Sequence, residues 1–370
     1  MVKIIKFTEV NPIEKFEVNQ IKKDISKTID RGDFILGNSV KSFEKDFSNI
    51  SKIKYAVGCG SGTDALLLAL MSLNLKSDDE IIVPAMTYIS TGLSVVLNNN
   101  KLVLADIDKD TGLISMQQIK KKITKKTKVI IPVNLYGQRV DLKKMRKIIG
   151  KRIFIIEDSA RSILAFKDND KKLFPSNLSD ISCYSFYPAK NLGAYGDGGL
   201  VATNNSMLYK KLLALRNLGS IKKNDHFLIG MNSRLDTIQS VVLRRKLKTL
   251  LKMNAKRRKI GLIYDRLLKP IKEIKLTKTN KGSSRHLYVI RTKHRNKLTS
   301  FLQKKGISSQ MHYPYSLNKL IALKGKFKKT KLKNSELWAK QCLSLPIHPK
   351  LKTTELLYIV NQIKRYFNYI

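Results

Sequence analysis

The segment Ser185–Gly199, SFYPAKNLGAYGDGG, sets one lysine, Lys190, in a glycine-rich turn among aromatic and small residues. A lysine that stays charged needs water rather than such a setting. A lysine that must lose its proton is served by it, because burial disfavours the ammonium form. Other chemically capable residues also fall just past apolar runs. Asp158 closes RIFIIED, where a carboxylate requires a cationic partner or several donors. It also suits a structural cap for the following segment. Thr87 and Tyr88 follow EIIVPAM, and Tyr88 reads either as core or as a flat face for stacking on a ring. The cluster GCGSGTDAL has Thr63 where a dinucleotide fingerprint needs its last glycine, and it lacks the G-K-[ST] of a nucleotide loop. What remains, around Gly62 and Thr63, is a helix start with free amides and two hydroxyls. That suits one phosphate group, and equally an ordinary capped helix. Ser185 precedes the lysine turn.

A phosphate cradle, a flat aromatic, a buried carboxylate and a lysine in an apolar turn together meet the requirements of pyridoxal phosphate. The lysine supplies the Schiff base, and the carboxylate keeps the ring nitrogen protonated so that the ring accepts electrons. No metal is expected. Cys59, Cys183 and Cys342 lie far apart without CxxC spacing and read as small core hydrophobes in a reducing cytoplasm.

These residues depend on regular elements for their positions. Over the first two thirds, apolar runs such as EIIVPAM, KLVLADID, KVIIPVNLYG and RIFIIED alternate with helical stretches such as GTDALLLALMSLNL, ISMQQIKKKI and DLKKMRKIIG. This predicts βαβ units and an α/β fold with a largely parallel sheet covered on both faces. In such sheets ligands sit beyond the carboxyl ends of the strands, where the chemical residues gather. After about Leu250 the pattern changes: KLKTLLKMNAKRRKIGLIYDRLL predicts one long basic helix, and a smaller α+β section follows. The expected division is residues 1–250 and 251–370, hinged along that helix.

Seventy-two Lys and Arg against 28 Asp and Glu give a net charge of +44. The basic residues are spread through the chain, with no nucleic-acid-binding motif. Specific nucleic-acid binding is not expected, although weak binding at low salt follows from charge alone. The densest cluster, KKKITKKTK, fits the solvated end of a helix. No apolar run reaches spanning length and no signal-peptide core opens the chain, so no membrane role is expected.

In this order and spacing, FILGNSVKSFEKDFS, YAVGCGSGTDALLLAL, VPAMTYIST, IIEDSARS, SFYPAKNLGAYGDGG, GMNSRLDTIQSVVL, HLYVIR, MHYP and CLSLPIHP cover nearly the whole chain. The sequence resembles the DegT/DnrJ/EryC1/StrS sugar-nucleotide aminotransferases, pyridoxal phosphate enzymes of fold type I. The resemblance implies that Lys190 is the Schiff-base lysine and Asp158 the partner of the pyridine nitrogen. It places Gly62, Thr63 and Ser185 at the phosphate and Tyr88 over the ring. Asn232 would reach the phosphate of a neighbouring subunit, which implies a homodimer with shared sites. His312 and Tyr313 match the loop beside the sugar, and Lys319, which follows that loop, joins them as a candidate substrate contact. Arg161 stands where the family usually has a glutamine near the cofactor's phenolic oxygen. YSLN (Tyr315 to Asn318) replaces the family's usual xPxH. Some relatives carry histidine at the lysine position and act as dehydratases; Lys190 points to transamination. The implied reaction moves nitrogen from an amino acid, most often glutamate, to a keto-hexose on a nucleoside diphosphate. C3 of a dTDP-linked 6-deoxy sugar is the first expectation, with C4 amination and a non-catalytic regulator as the alternatives. The product would feed surface polysaccharide or a glycosylated metabolite.

Overall fold

The computed structural model describes residues 4–165, 178–222, 224–280 and 282–369. Seven strands form the main sheet: β1 (Tyr55–Cys59), β2 (Glu80–Pro84), β3 (Lys101–Ala105), β4 (Thr127–Ile130), β5 (Phe154–Asp158), β6 (Ile181–Ser185) and β7 (Gly199–Thr203). Their order is β1-β7-β6-β5-β4-β2-β3. β2 to β6 pair in parallel, whereas β7 runs antiparallel to both β6 and β1. The reversal has a local cause. β6 and β7 are joined by the lysine turn with no crossover helix, and a parallel return requires a crossover.

The unbroken apolar runs follow from burial on both faces. Ile81, Val83, Ile156 and Val201 pack on one side with Leu66, Leu68 and Leu70 of α3 (Gly62–Met71). The intervening Ile82, Ile130 and Ile155 pack on the other with Ile119 of α5 (Met116–Lys122) and Met145 and Ile149 of α6 (Leu142–Ile149). Between α3 and α5 lies α4 (Ile89–Leu97). Under β6 and β7, Tyr184, Leu200 and Ala202 pack on Phe43 and Phe47 of α2 (Asn38–Ser51) and Leu243 of α8 (Thr237–Leu247). α1 (Lys15–Asp30) precedes them in the chain, and α7 (Ser206–Leu215) follows β7. Side-chain caps begin several helices: Ser61 accepts from the Asp64 amide, Asp141 from Lys144, and Asn205 from Met207 and Leu208.

The long basic helix expected over residues 246–268 is two helices, with α8 ending at Leu247 and α9 spanning Leu250–Leu268. At the break, the amides of Lys248 and Thr249 turn to the carbonyls three residues back, and the Thr249 hydroxyl bonds the Lys246 carbonyl at 3.3 Å. This local bonding competes with helix continuation.

A small hairpin of β8 (Ser220–Lys222) and β9 (Asp225–His226) lies between α7 and α8. A second sheet joins β10 (Lys275–Leu276), β11 (Tyr288–Arg291) and β12 (Cys342–Leu345). It packs with α9, α10 (Arg295–Lys304) and α12 (Thr353–Tyr366) around Tyr264, Ile290, Leu298 and Ile359. Packing also crosses residue 250. Leu317, Leu323 and Leu332 join the first core, and Trp338 of α11 (Lys333–Gln341) packs near Met86, Tyr136 and Leu287. All three cysteines are free and buried. Among the described residues no helix is long and apolar enough to cross a membrane, and no group of His, Cys, Asp or Glu could hold a metal ion.

Candidate active site

Topology brings the singled-out residues to one rim. Gly60–Thr63 follow β1, Thr87 and Tyr88 follow β2, Asp158 ends β5, and Ser185 ends β6. β1, β2, β5 and β6 all point the same way, so these ends share the carboxyl edge of the sheet.

Asp158 is 7% exposed. Its Oδ2 accepts from Thr91 Oγ1 at 2.8 Å, and its Oδ1 accepts from the Ala160 amide at 3.2 Å. Thr91 in turn bonds Thr87 at 2.9 Å. The carboxylate is thus oriented from α4, one turn beyond the strand end that carries Tyr88. A buried carboxylate with two neutral donors and no ion pair among the described residues has capacity for a cation or an N–H donor.

Lys190 is part-buried, and its amide bonds the Tyr187 carbonyl at 2.8 Å. Burial, then the charge of Arg161, pushes its amine well below the ordinary 10.5, against the pull of Asp158. The turn that carries it is anchored at several points. Lys246 Nζ donates to the Gly193 carbonyl at 2.8 Å, and the Tyr195 amide donates to Gln239 at 2.8 Å. Asn191 donates to Asn254 of α9 and to the Ser284 carbonyl. Because its amide nitrogen is so committed, its oxygen receives Nδ1–H of His286 at 2.8 Å. His286 is held neutral by burial and by Arg161, Lys190 and Arg257. At Gly193 the backbone passes so close to its own turn that an added Cβ would lie 2.2 Å from the Pro188 carbonyl oxygen.

The phosphate candidates sit where α3 meets β6. A Cβ on Gly62 would stand 2.5 Å from Ser185 Cβ, so glycine is required for this approach. Thr63 Oγ1 and Ser90 Oγ are 2.8 Å apart. The Ser61 hydroxyl is used by the cap, which leaves Thr63, Ser185 and the first amides of α3 for an anion. Asn232 is exposed. Its neighbour Ser233 donates to Asp64 at 2.7 Å and accepts from the Gly60 amide at 3.0 Å.

Tyr88 is 57% exposed, with its ring 5.7 Å from that of Tyr313. Tyr313 Oη accepts from Arg161 Nε at 3.0 Å and Nη2 at 2.6 Å. His312 Nδ1 lies 2.9 Å from Ser344 Oγ, its ring stacks on Phe7, and its carbonyl accepts from Tyr136. Burial, then Arg161 and Lys190, lowers its pKa to about 2. Lys319 stands apart from this group: it is exposed, and its Nζ lies 3.6 Å from Glu336. Sequence reading singled out neither Thr91 and Ser90, one turn into α4, nor Asn191 and His286. Only the one-turn spacing from Thr87 to Thr91 offered a signal.

The donor set fits pyridoxal phosphate. It provides an anion cradle at a helix start, an oriented buried carboxylate, an amine that burial favours as neutral, and an accessible aromatic face.

The model of the DegT/DnrJ/EryC1/StrS aminotransferase family matches residues 16–364. The chain is 36% identical over 367 residues to a "pleiotropic regulatory protein" of Geobacillus stearothermophilus, covering 96% of this chain and 97% of that one. It is 35% identical to the UDP-2-acetamido-2-deoxy-3-oxo-D-glucuronate aminotransferase of Pseudomonas aeruginosa, covering 95% and 98%. The solved structure of S. venezuelae DesV in complex with a ketimine intermediate matches with a TM-score of 0.94 and 32% identity, covering all of both chains.

Proposed function

The chain belongs to the DegT/DnrJ/EryC1/StrS aminotransferase family of pyridoxal phosphate-dependent enzymes, and we propose that it aminates C3 of a dTDP-linked 3-keto-6-deoxyhexose with glutamate as donor. The observation that carries the reading is the gathering of Lys190, oriented Asp158 and the Gly62–Thr63–Ser185 cradle on one rim. The P. aeruginosa relative, named for a 3-oxo sugar, supports the C3 position. C4 amination is the second reading within the class. The name of the G. stearothermophilus relative favours the regulator alternative. Against it, Lys190, Asp158 and Ser185 are all retained.

When bound, the cofactor supplies an electron sink and carries the nitrogen between the two half-reactions. In this reading the α3 amides, Thr63 and Ser185 hold its phosphate, and Asp158 pairs with its ring nitrogen. Tyr88 would offer its exposed ring for stacking. Lys190 Nζ, which burial favours as neutral, would hold it and would move a proton to and from the substrate carbon. His312 stays neutral and orients the sugar-side loop through Ser344. Tyr313 and Lys319 flank the approach of the nucleotide sugar.

The homodimer belongs to the same proposal. Phe34, Ile35, Leu218, Ile221, Phe227 and Ile229 are exposed apolar residues around the strand bridges of Asn232 and Asp236. Such a patch supports burial against a second copy, with Asn232 reaching the partner's phosphate cradle. Purified protein loaded with cofactor and given glutamate is assayed on 3-keto and 4-keto nucleotide sugars. The reading requires fastest turnover with the 3-keto dTDP sugar; no amination of any sugar contradicts it.

A further inference from the structure

Arg161 is a part-buried cation with no acidic partner among the described residues. Its Nε and Nη2 both donate to the neutral phenol of Tyr313, which lies beneath the guanidinium with its ring centroid 5.5 Å from Cζ. This clamp fixes the plane of the guanidinium. It also uses one edge only. The other edge, Nη1 with the outer N–H of Nη2, donates to no described residue. The acidic group nearest in sequence, Asp158, forms no ion pair with Arg161; its two oxygens accept from Thr91 and the Ala160 amide. The histidines on the facing elements, His286 and His312, are neutral and carry no compensating charge. A fixed, planar fork with an open edge matches a carboxylate, which accepts two parallel N–H bonds.

Chemistry limits which carboxylate fits. A donor amino acid must present its amine where the Lys190 amine stands, since one replaces the other on the cofactor. Its α-carboxyl carbon then lies roughly 2.5 Å from that nitrogen, by ordinary bond lengths. Arg161 is close enough to Lys190 for its charge to act on the amine. A sugar substrate has no carboxylate fixed at such a distance.

We propose that the open edge of Arg161, held in place by Tyr313, is the recognition site for the α-carboxylate of the amino donor. This deepens the aminotransferase reading and rests on it. Arg161 therefore sets donor affinity and leaves sugar affinity alone, and Tyr313 acts through it as a positioning residue.

The test uses the cofactor-loaded protein and glutarate, a dicarboxylate with no amine to react. Calorimetry gives its affinity for wild type, Arg161→Gln, Arg161→Lys and Tyr313→Phe, and thermal melts confirm folding of each variant. Loss of a charge-assisted pair weakens glutarate about tenfold or more in Arg161→Gln. Arg161→Lys and Tyr313→Phe weaken it about threefold, because charge survives without the fixed fork. In kinetics, Arg161→Gln raises the KM for glutamate by a similar factor and keeps the KM for the nucleotide sugar within about twofold. Glutarate affinity unchanged in Arg161→Gln overturns the proposal. So does a shifted pH midpoint of the cofactor's visible-edge absorbance with unchanged glutarate affinity, which would assign the guanidinium to the cofactor ring. If the wild type aminates no sugar, the aminotransferase reading fails separately, and the glutarate comparison still reports on Arg161.

Discussion

The floor of the site and its outer wall are built differently. The floor consists of strand ends and a helix start. Asp158 is tied to Thr91 and Ala160, Thr63 to Ser90, and the lysine turn to Gln239, Lys246 and Asn254 through backbone and Asn191. The wall is a loop around residues 312–319. His312 and Tyr313 are tied in, but Tyr315 is 61% exposed, and Lys319 projects to solvent beside Glu336. The floor is fixed by elements that the fold cannot omit, whereas the wall varies without disturbing the sheet. In the proposed reading, cofactor chemistry belongs to this floor and substrate choice to the loop.

The largest separation between the two should come from Lys190→Ala. The Lys190 amine makes no hydrogen bond or ion pair with any described residue, so turnover should vanish while the protein stays folded. Retained turnover would remove Lys190 from the mechanism. Asp158→Asn comes next. It should cut turnover by about a hundredfold or more, the scale of losing one placed charge from a site, with cofactor still bound. Near-normal rates would make the carboxylate structural. For the shared site, Lys190→Ala mixed with an inactive Asn232→Asp should recover part of the activity, because one hybrid site is intact. Ser233 bonds Gly60 of its own chain, so failure to recover despite proven subunit exchange would assign Asn232 to a one-chain site.

The next effect is a stability slope with pH. The folded pKa values of Lys190 and His312 both lie below their ordinary 10.5 and 6.5. In each case the unfolded chain binds the proton first, so stability falls as pH drops through the interval between the two values. Melting the cofactor-free protein should show Lys190→Met flattening the alkaline part of the profile, and His312→Gln the part below about 6.5. A profile identical to wild type in either variant would contradict the corresponding assignment. The smallest effects concern the wall and the bulk charge. Lys319→Gln should raise the KM for the nucleotide sugar about twofold, because Glu336 already offsets its charge and exposed pairs are weak. Lys120→Gln, Lys121→Gln and Lys122→Gln together should leave KM unchanged, since Lys120 and Lys121 are exposed and the Lys122 amine is bonded to Thr330. Equal increases in both would mean that the overall field recruits substrate.

The floor was legible because its signals are local. An apolar run ending in Asp158, a Gly-Thr-Asp helix start and a lysine among glycines each declare a position within a few residues. The alternation of runs then brings them to one edge. The break between α8 and α9 and the His286–Asn191 link were not legible. The first depends on competition between local hydrogen bonds, and the second on a partner 95 positions away in sequence. Arg161 was visible as a departure from the family, but its clamp to Tyr313, 152 positions away, was not.

The central claim is that Lys190 is the residue that carries the cofactor. Cofactor-loaded protein is treated with borohydride, digested, and its peptides mapped by mass spectrometry. The account predicts that the reduced cofactor is fixed on the peptide containing Lys190 and nowhere else; a label on any other lysine, with the Lys190 peptide unmodified, would contradict it.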